Sequence, residues 1–285
     1  MLTDAFLSRL DTLSLMMRGR ARGGAGGSRR SRQTGSSAEF SDYREYIPGD
    51  DIRRLDWNAL ARFDRLYMKL FMEEQESAVH VLLDCSASMA EKWQAARSAA
   101  EAVGYLALTG GDRLRMQCLK NGRALASPLL SGRQAFPKLT AFLDACLPDG
   151  KEGSLTDAVR RTQGLQKGLC FLVTDGYTED ALAETLDYLR YCRQETGVIQ
   201  VLSGGELRPE AEGALRLTDS ETGEHIDLLA DRPALENYRA ALEDFLKAVR
   251  ENCSSREATY LLLDSEEPFE ERFIALLSKA AIINA

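Results

Sequence analysis

The stretch Val79-His80-Val81-Leu82-Leu83-Asp84-Cys85-Ser86-Ala87-Ser88 decides how the chain is read. A strand covered by helices on both faces needs apolar side chains pointing both ways. A short continuous apolar run, in place of strict alternation, is therefore the mark of a buried parallel strand. Here the run ends at Asp84, and Ser86 and Ser88 follow two residues apart in a turn of small residues. In open α/β sheets, ligands bind beyond the carboxyl ends of the strands. One carboxylate and two hydroxyls thus stand where such a fold places its chemistry.

The same design recurs further along. Leu169-Cys170-Phe171-Leu172-Val173 ends near Asp175, and Val198-Ile199-Gln200-Val201-Leu202 and Tyr260-Leu261-Leu262-Leu263 are similar runs. Helical segments are expected between them at about 90–108, 133–146, 179–193, 233–251 and 268–280. The alternation predicts an α/β fold, a Rossmann-like, mostly parallel sheet with helices on both faces, over residues 78–285. Leu215 to Thr218, a turn around Thr222-Gly223, and His225 to Leu228 predict a β-hairpin insert near 213–229.

Upstream the alternation fails. Residues 38–77 read as a β-rich or irregular extension: Phe40 to Ile47 extended, Pro48-Gly49-Asp50 a turn, Leu66 to Phe71 a strand. Arg53, Asp56 and Trp57, with Asp50 and Asp51, read as a structural ion-pair network with Trp57 as a packing anchor. Residues 1–37 begin with an amphipathic helix, since Phe6, Leu7, Leu10, Leu13 and Met17 recur at helical spacing. A linker follows, with Arg18, Arg20, Arg22, Arg29, Arg30 and Arg32 interleaved with glycines and no acid among them.

Composition narrows the function. The chain of 285 residues carries a net charge of -8, and no stretch approaches the roughly 18–20 apolar residues of a membrane span. Asp4, Arg9 and Asp11 interrupt the first apolar positions, so a secretory leader is not expected. The cysteines at 85, 118, 146, 170, 192 and 253 show neither metal spacing nor a compact disulfide framework. They are expected to be free thiols of a cytoplasmic protein. On an acidic chain without interleaved aromatics, the Arg/Gly stretch reads as a solvated linker, and no nucleic-acid partner is expected. His80 and His225 lie inside strand runs and read as structural.

Three loops gather at the carboxyl side of the sheet: Asp84-Cys85-Ser86-Ala87-Ser88, Gly153-Ser154-Leu155-Thr156-Asp157 and Thr174-Asp175-Gly176. Their oxygens suit a hard cation, Mg²⁺ first, with Mn²⁺ or Ca²⁺ as alternatives. If hydroxyls bind directly and the aspartates act partly through water, the ion keeps much of its charge and seeks an external carboxylate. The competing bland reading is helix capping by Asp84, Ser86, Ser88 and Thr156. Among enzyme readings, a metal-dependent hydrolase or phosphotransferase using Asp84 and Asp175 is the alternative. In the Asp-x-Asp class of such enzymes the second aspartate is the general acid, and Ser86 at that position cannot shuttle protons near neutral pH. A scaffold with a purely structural metal is a third. No Gly-x-Ser-x-Gly elbow, P-loop or Gly-x-Gly-x-x-Gly follows the first strand.

Asp-x-Ser-x-Ser, a later Thr and Thr-Asp-Gly resemble the metal-ion-dependent adhesion site of von Willebrand factor A domains. The upstream string Phe40, Arg44-Glu45-Tyr46, Pro48-Gly49-Asp50-Asp51, Arg53, Leu55-Asp56-Trp57, Ala61-Arg62, Lys69 and Phe71-Met72-Glu73-Glu74 resembles the bacterial family called domain of unknown function 58. The resemblance covers roughly residues 38–230. It implies a von Willebrand factor A-type sheet and a metal site of Asp84, Ser86, Ser88, Thr156 and Asp175, with Ser154 as the substitute for Thr156 because the loop departs from the usual Gly-Gly-Thr-Asp order. It also implies a non-catalytic partner-binding role beside a MoxR-type AAA+ ATPase or its client, the partner supplying a carboxylate to the metal.

Overall fold

A computed structural model of the chain describes residues 2–15, 39–48, 50, 52, 55–63, 65–72, 77–150, 153–162, 164–178, 182–209, 213–220 and 222–284. They fall into two compact units, one drawn from 1–24 with 77–285 and the other from 25–76. The Arg/Gly stretch at 18–32, together with Asp51, Arg53, Glu73 and Glu74, lies outside the described residues.

The larger unit opens with helix α1 (Asp4–Leu10), whose first turn is capped by Thr3 Oγ1 accepting from the Phe6 N–H at 3.1 Å. A short strand β1 (Ser14–Leu15) follows. In the smaller unit, β2 (Glu39–Glu45) and β3 (Tyr67–Met72) form an antiparallel pair around helix α2 (Trp57–Phe63). Asp56 caps that helix through Oδ1, which accepts from the N–H groups of Asn58 and Ala59, while the Tyr43 hydroxyl donates to Oδ2. Arg44 pairs with Asp50 at 2.9 Å. Trp57 is 63% exposed, which corrects its reading as a packing anchor.

The larger unit then resumes with β4 (Ala78–Asp84), α3 (Trp93–Thr109), β5 (Arg113–Lys120), β6 (Arg123–Ala126), β7 (Leu130–Ser131), α4 (Phe136–Asp144) and α5 (Leu155–Arg160). It continues with β8 (Gly168–Thr174), α6 (Leu182–Tyr191), β9 (Gln194–Leu202) and α7 (Gly204–Leu207). Last come β10 (Gly213–Thr218), β11 (His225–Ala230), α8 (Arg232–Ser255), β12 (Thr259–Asp264), α9 (Phe269–Lys279) and β13 (Ile283–Asn284).

The sheet order is β12-β9-β8-β4-β5-β6, with β7 also on β5. The pairs β4·β5, β4·β8, β8·β9 and β9·β12 are parallel, and only the edge pairings β5·β6 and β5·β7 are antiparallel. Numbered along the chain, the six strands of the main path lie in the order 3-2-1-4-5-6, the doubly wound arrangement whose winding reverses between its first and fourth strands. The reversal here falls between β4 and β8. Every residue of both strands is buried, as expected of strands covered on both faces. Val79, Val81 and Leu83 pack into a core with residues of α1, α3, α4 and α9. Leu82 points the other way, into a core with Val159, Leu186 and Val249 of α5, α6 and α8. The expected α/β architecture is thus present, and β10–β11 is the expected hairpin, its strands pairing only with each other.

Two further features depart from expectation. β5 was not among the expected strands, because Arg113, Arg115 and Gln117 alternate with its apolar residues and break the continuous run. The reading of all six cysteines as free thiols is also corrected. Cys118 on β5 and Cys146 after α4 form a disulfide, while Cys85, Cys170, Cys192 and Cys253 remain free. The two partners are 28 residues apart in sequence, and α4, which precedes Cys146, packs against α3.

Candidate metal centre

The winding reversal sets the location of the site. Since β4 and β8 are hydrogen-bonded neighbours running the same way, Asp84 and Thr174 end side by side. Thr174 Oγ1 donates to Asp84 Oδ2 at 2.7 Å, and Asp84 Oδ1 accepts from the Ser86 N–H at 3.0 Å. Each carboxylate oxygen therefore keeps further acceptor capacity while being held in place. The Ser86 and Ser88 hydroxyls lie 3.0 Å apart. Neither Ser86 nor the residue before α3 makes a side-chain cap, so helix capping does not account for this loop.

The loop is backed by its neighbours. Ala87 N–H donates to Gly150 O at 2.7 Å, and Gly150 N–H to Cys85 O at 3.0 Å. Gly153, at φ +116°, lies so close to Gly122 that a β-carbon would meet its backbone nitrogen at 2.3 Å, so only glycine lets this turn close. Burial, reinforced by the Asp84 charge, pushes the Cys85 thiol up to about 12, which leaves it a neutral packing group.

A cleft of about 40 Å³ opens here, lined by Asp84, Ser86, Ser154, Tyr177 and Thr178 among others. Asp175 does not line it and is fully buried, with Oδ1 accepting from the Tyr177 N–H at 3.0 Å. Thr156 is buried too, its hydroxyl 2.8 Å from that of Thr185. Ser154 caps α5 by accepting from the Asp157 N–H. The first loop and Ser154 therefore meet at the cleft, Asp175 acts on Asp84 through its charge, and Thr156 is engaged elsewhere.

Burial, and then the negative charge of Asp175, raises the Asp84 carboxyl to about 6. A buried carboxylate, Asp84, whose ionised form burial and the Asp175 charge disfavour, makes with the paired hydroxyls of Ser86 and Ser88 a donor set that fits a hard cation. Asp175 Oδ2 accepts no hydrogen bond and is held by an ion pair instead. Its nearest cation, Lys92 Nζ, lies 3.1 Å away but off the hydrogen-bonding direction. That lysine, 2% exposed, also contacts Glu206 Oε1 at 2.6 Å and lies 5.0 Å from the centre of the Tyr177 ring.

Lys92 and Glu206 were not among the residues singled out by sequence. Glu206 had a legible signal: it stands three residues after Ser203, and the two form a reciprocal capping box at α7. Lys92 had none beyond its position ahead of a helix whose inner face is alanine.

The sequence model of the family described as "Protein of unknown function DUF58" matches residues 42–252. The chain belongs to this family. Uncharacterized proteins of Mycobacterium tuberculosis and Mycobacterium bovis are 29% identical to it over 201 residues, covering 66% of this chain and 62% of theirs. The chain thus spans about 62% of the length of the curated relatives it matches.

Among solved structures, the conserved hypothetical protein BatB of Bacteroides thetaiotaomicron aligns with a TM-score of 0.44 at 16% identity, over 72% of this chain and 98% of that one. An aerotolerance-related membrane protein of Bacteroides fragilis aligns with a TM-score of 0.41, also at 16% identity, over 71% of this chain and 99% of its own. The sheet order and the Asp84 loop described above stand independently of these likenesses. No described helix is long and apolar enough to cross a membrane.

Proposed function

We propose that this DUF58 chain is a divalent-metal-dependent protein-interaction module of von Willebrand factor A type, with no catalysis of its own. The observation that carries the reading is the placement of Asp84, Ser86 and Ser88 on one turn at the winding reversal, with a second buried carboxylate, Asp175, acting on the first. In this reading Asp84, Ser86 and Ser88 hold Mg²⁺, and Asp175 contributes charge through water. A hydroxyl from the 153–157 loop completes the protein's share, with Ser154 favoured over Thr156 because Ser154 lines the cleft. The bound ion supplies an electrophilic point that a partner's carboxylate completes. The partner proposed is a MoxR-type AAA+ ATPase or its client.

The test is calorimetric titration of Mg²⁺ into wild type and Asp84→Ala, followed by binding to a MoxR-type ATPase from the same genome with and without EDTA. The expected result is metal uptake and partner binding in wild type, both lost in Asp84→Ala and both abolished by EDTA. Partner binding indifferent to EDTA and to Asp84 would sink the reading.

A further inference from the structure

The described residues place a buried cation against Asp175, the carboxylate whose charge acts on Asp84. Lys92 Nζ lies 3.1 Å from Asp175 Oδ2 and 2.6 Å from Glu206 Oε1. Its position is enforced from the far side. Glu206 Oε2 accepts from the Ser203 N–H at 2.6 Å, and Ser203 Oγ accepts from the Glu206 N–H at 3.2 Å. The capping box of α7 therefore fixes Glu206, Glu206 fixes the ammonium, and the Tyr177 ring packs beside it. One positive charge is shared by two carboxylates, and one of the two is the aspartate of the third loop.

Such a charge opposes a second cation at the same carboxylate. In a buried site like charges repel strongly, and the ammonium offsets the negative charge through which Asp175 acts on Asp84. An ion bound beside Asp84 is then under-neutralised by the protein itself and gains more from an external carboxylate.

We infer that Lys92 is a specificity-determining residue: a built-in counter-cation that weakens metal binding in the free protein and makes the ion and an incoming carboxylate bind cooperatively. This rests on the metal-site reading above. By linkage, whatever the carboxylate adds to metal affinity the metal adds to carboxylate affinity.

Two substitutions in the same buried cluster separate this role from a structural one, because they move metal affinity in opposite directions. Lys92→Met keeps the aliphatic stem and removes the charge, and Mn²⁺ alone is expected to bind at least tenfold more tightly than to wild type. Glu206→Gln leaves the ammonium wholly to Asp175, and Mn²⁺ is expected to bind several-fold more weakly. If Lys92→Met does not fold, the double variant Lys92→Met/Glu206→Gln carries one fewer uncompensated carboxylate. It must then bind Mn²⁺ at least tenfold more tightly than Glu206→Gln alone. Acetate is expected to tighten Mn²⁺ in wild type more than in Lys92→Met. The inference is overturned if both single variants weaken Mn²⁺ binding, as loss of structural support would, or if Lys92→Met leaves the affinity unchanged. Uptake by wild type that survives in Asp84→Ala overturns the metal-site reading itself, and a wild type that binds no Mn²⁺ does the same.

Discussion

Thr174 Oγ1 donates a 2.7 Å hydrogen bond to Asp84 Oδ2, joining the ends of the two strands between which the sheet reverses its winding. The same hydroxyl accepts from the Gly176 N–H at 3.1 Å. It therefore orients the carboxylate of one loop and the backbone of another. Replacing Thr174 by Val keeps the shape and removes both bonds. A buried hydrogen bond to a charged group is worth about 2 kcal/mol, so chemical denaturation is expected to show a loss of that size. Because the Thr174 bond also holds the Asp84 carboxyl down against burial, the variant is expected to need a higher pH to bind Mg²⁺. Unchanged stability and unchanged metal binding would contradict the role assigned to this hydroxyl.

Asp84 has a definite pH signature. Its folded value, about 6, lies above the ordinary 3.8, raised by burial and then by Asp175. The fold thus favours the protonated form. The resulting stability is fully present below the ordinary value and is lost as pH rises through about 6. In EDTA, the melting temperature of wild type should fall across that window relative to Asp84→Asn, which cannot ionise. With Mg²⁺ present the trend should reverse, since the ion takes the ionised form. Parallel pH profiles for the two proteins would refute the assignment.

The disulfide between Cys118 and Cys146 closes a span of 28 residues. By the loop-entropy relation this stabilises the oxidised protein by about 3–4 kcal/mol. Cys118→Ser, or reduction with dithiothreitol, is expected to lower the denaturation midpoint correspondingly. The two treatments should not add. Free-thiol titration of the unfolded, unreduced protein should count four thiols, matching the four free cysteines.

Helix α1 belongs to the main core. Phe6 is fully buried and packs edge-to-face on Phe269 of α9, with ring centres 5.8 Å apart. Phe6→Ala is expected to cost about 3–5 kcal/mol, as large-to-small changes in cores do. A loss below about 1 kcal/mol, the range of surface changes, would show that the helix is not part of the folded core.

Much of the fold was legible because its central strands are apolar on both faces. Val79–Leu83, Leu169–Val173, Val198–Leu202 and Tyr260–Leu263 all became strands of the main sheet. The expected helix at 233–251 became α8, Arg232–Ser255, with Asp231 as its cap. β5 was not legible, because its polar alternation mimics an edge strand although it pairs with β4 along its length.

In the candidate site the motif alone singled out Asp84, Ser86 and Ser88, because residues two apart in one turn are kept together by local chain geometry. What lies across the fold could not be read in this way. Lys92 and Glu206 are 114 positions apart, and Cys118 and Cys146 are 28 apart. Sequence by itself therefore determined the parallel α/β framework and the loop that carries the first carboxylate, since hydrophobic pattern and local turn chemistry act over a few residues. Tertiary structure alone decided which hydroxyl of the 153–157 loop reaches the cleft, which cysteines pair, and which buried ammonium stands against Asp175. Those relations arise from long-range packing and charge compensation, which appear only when distant segments are brought together.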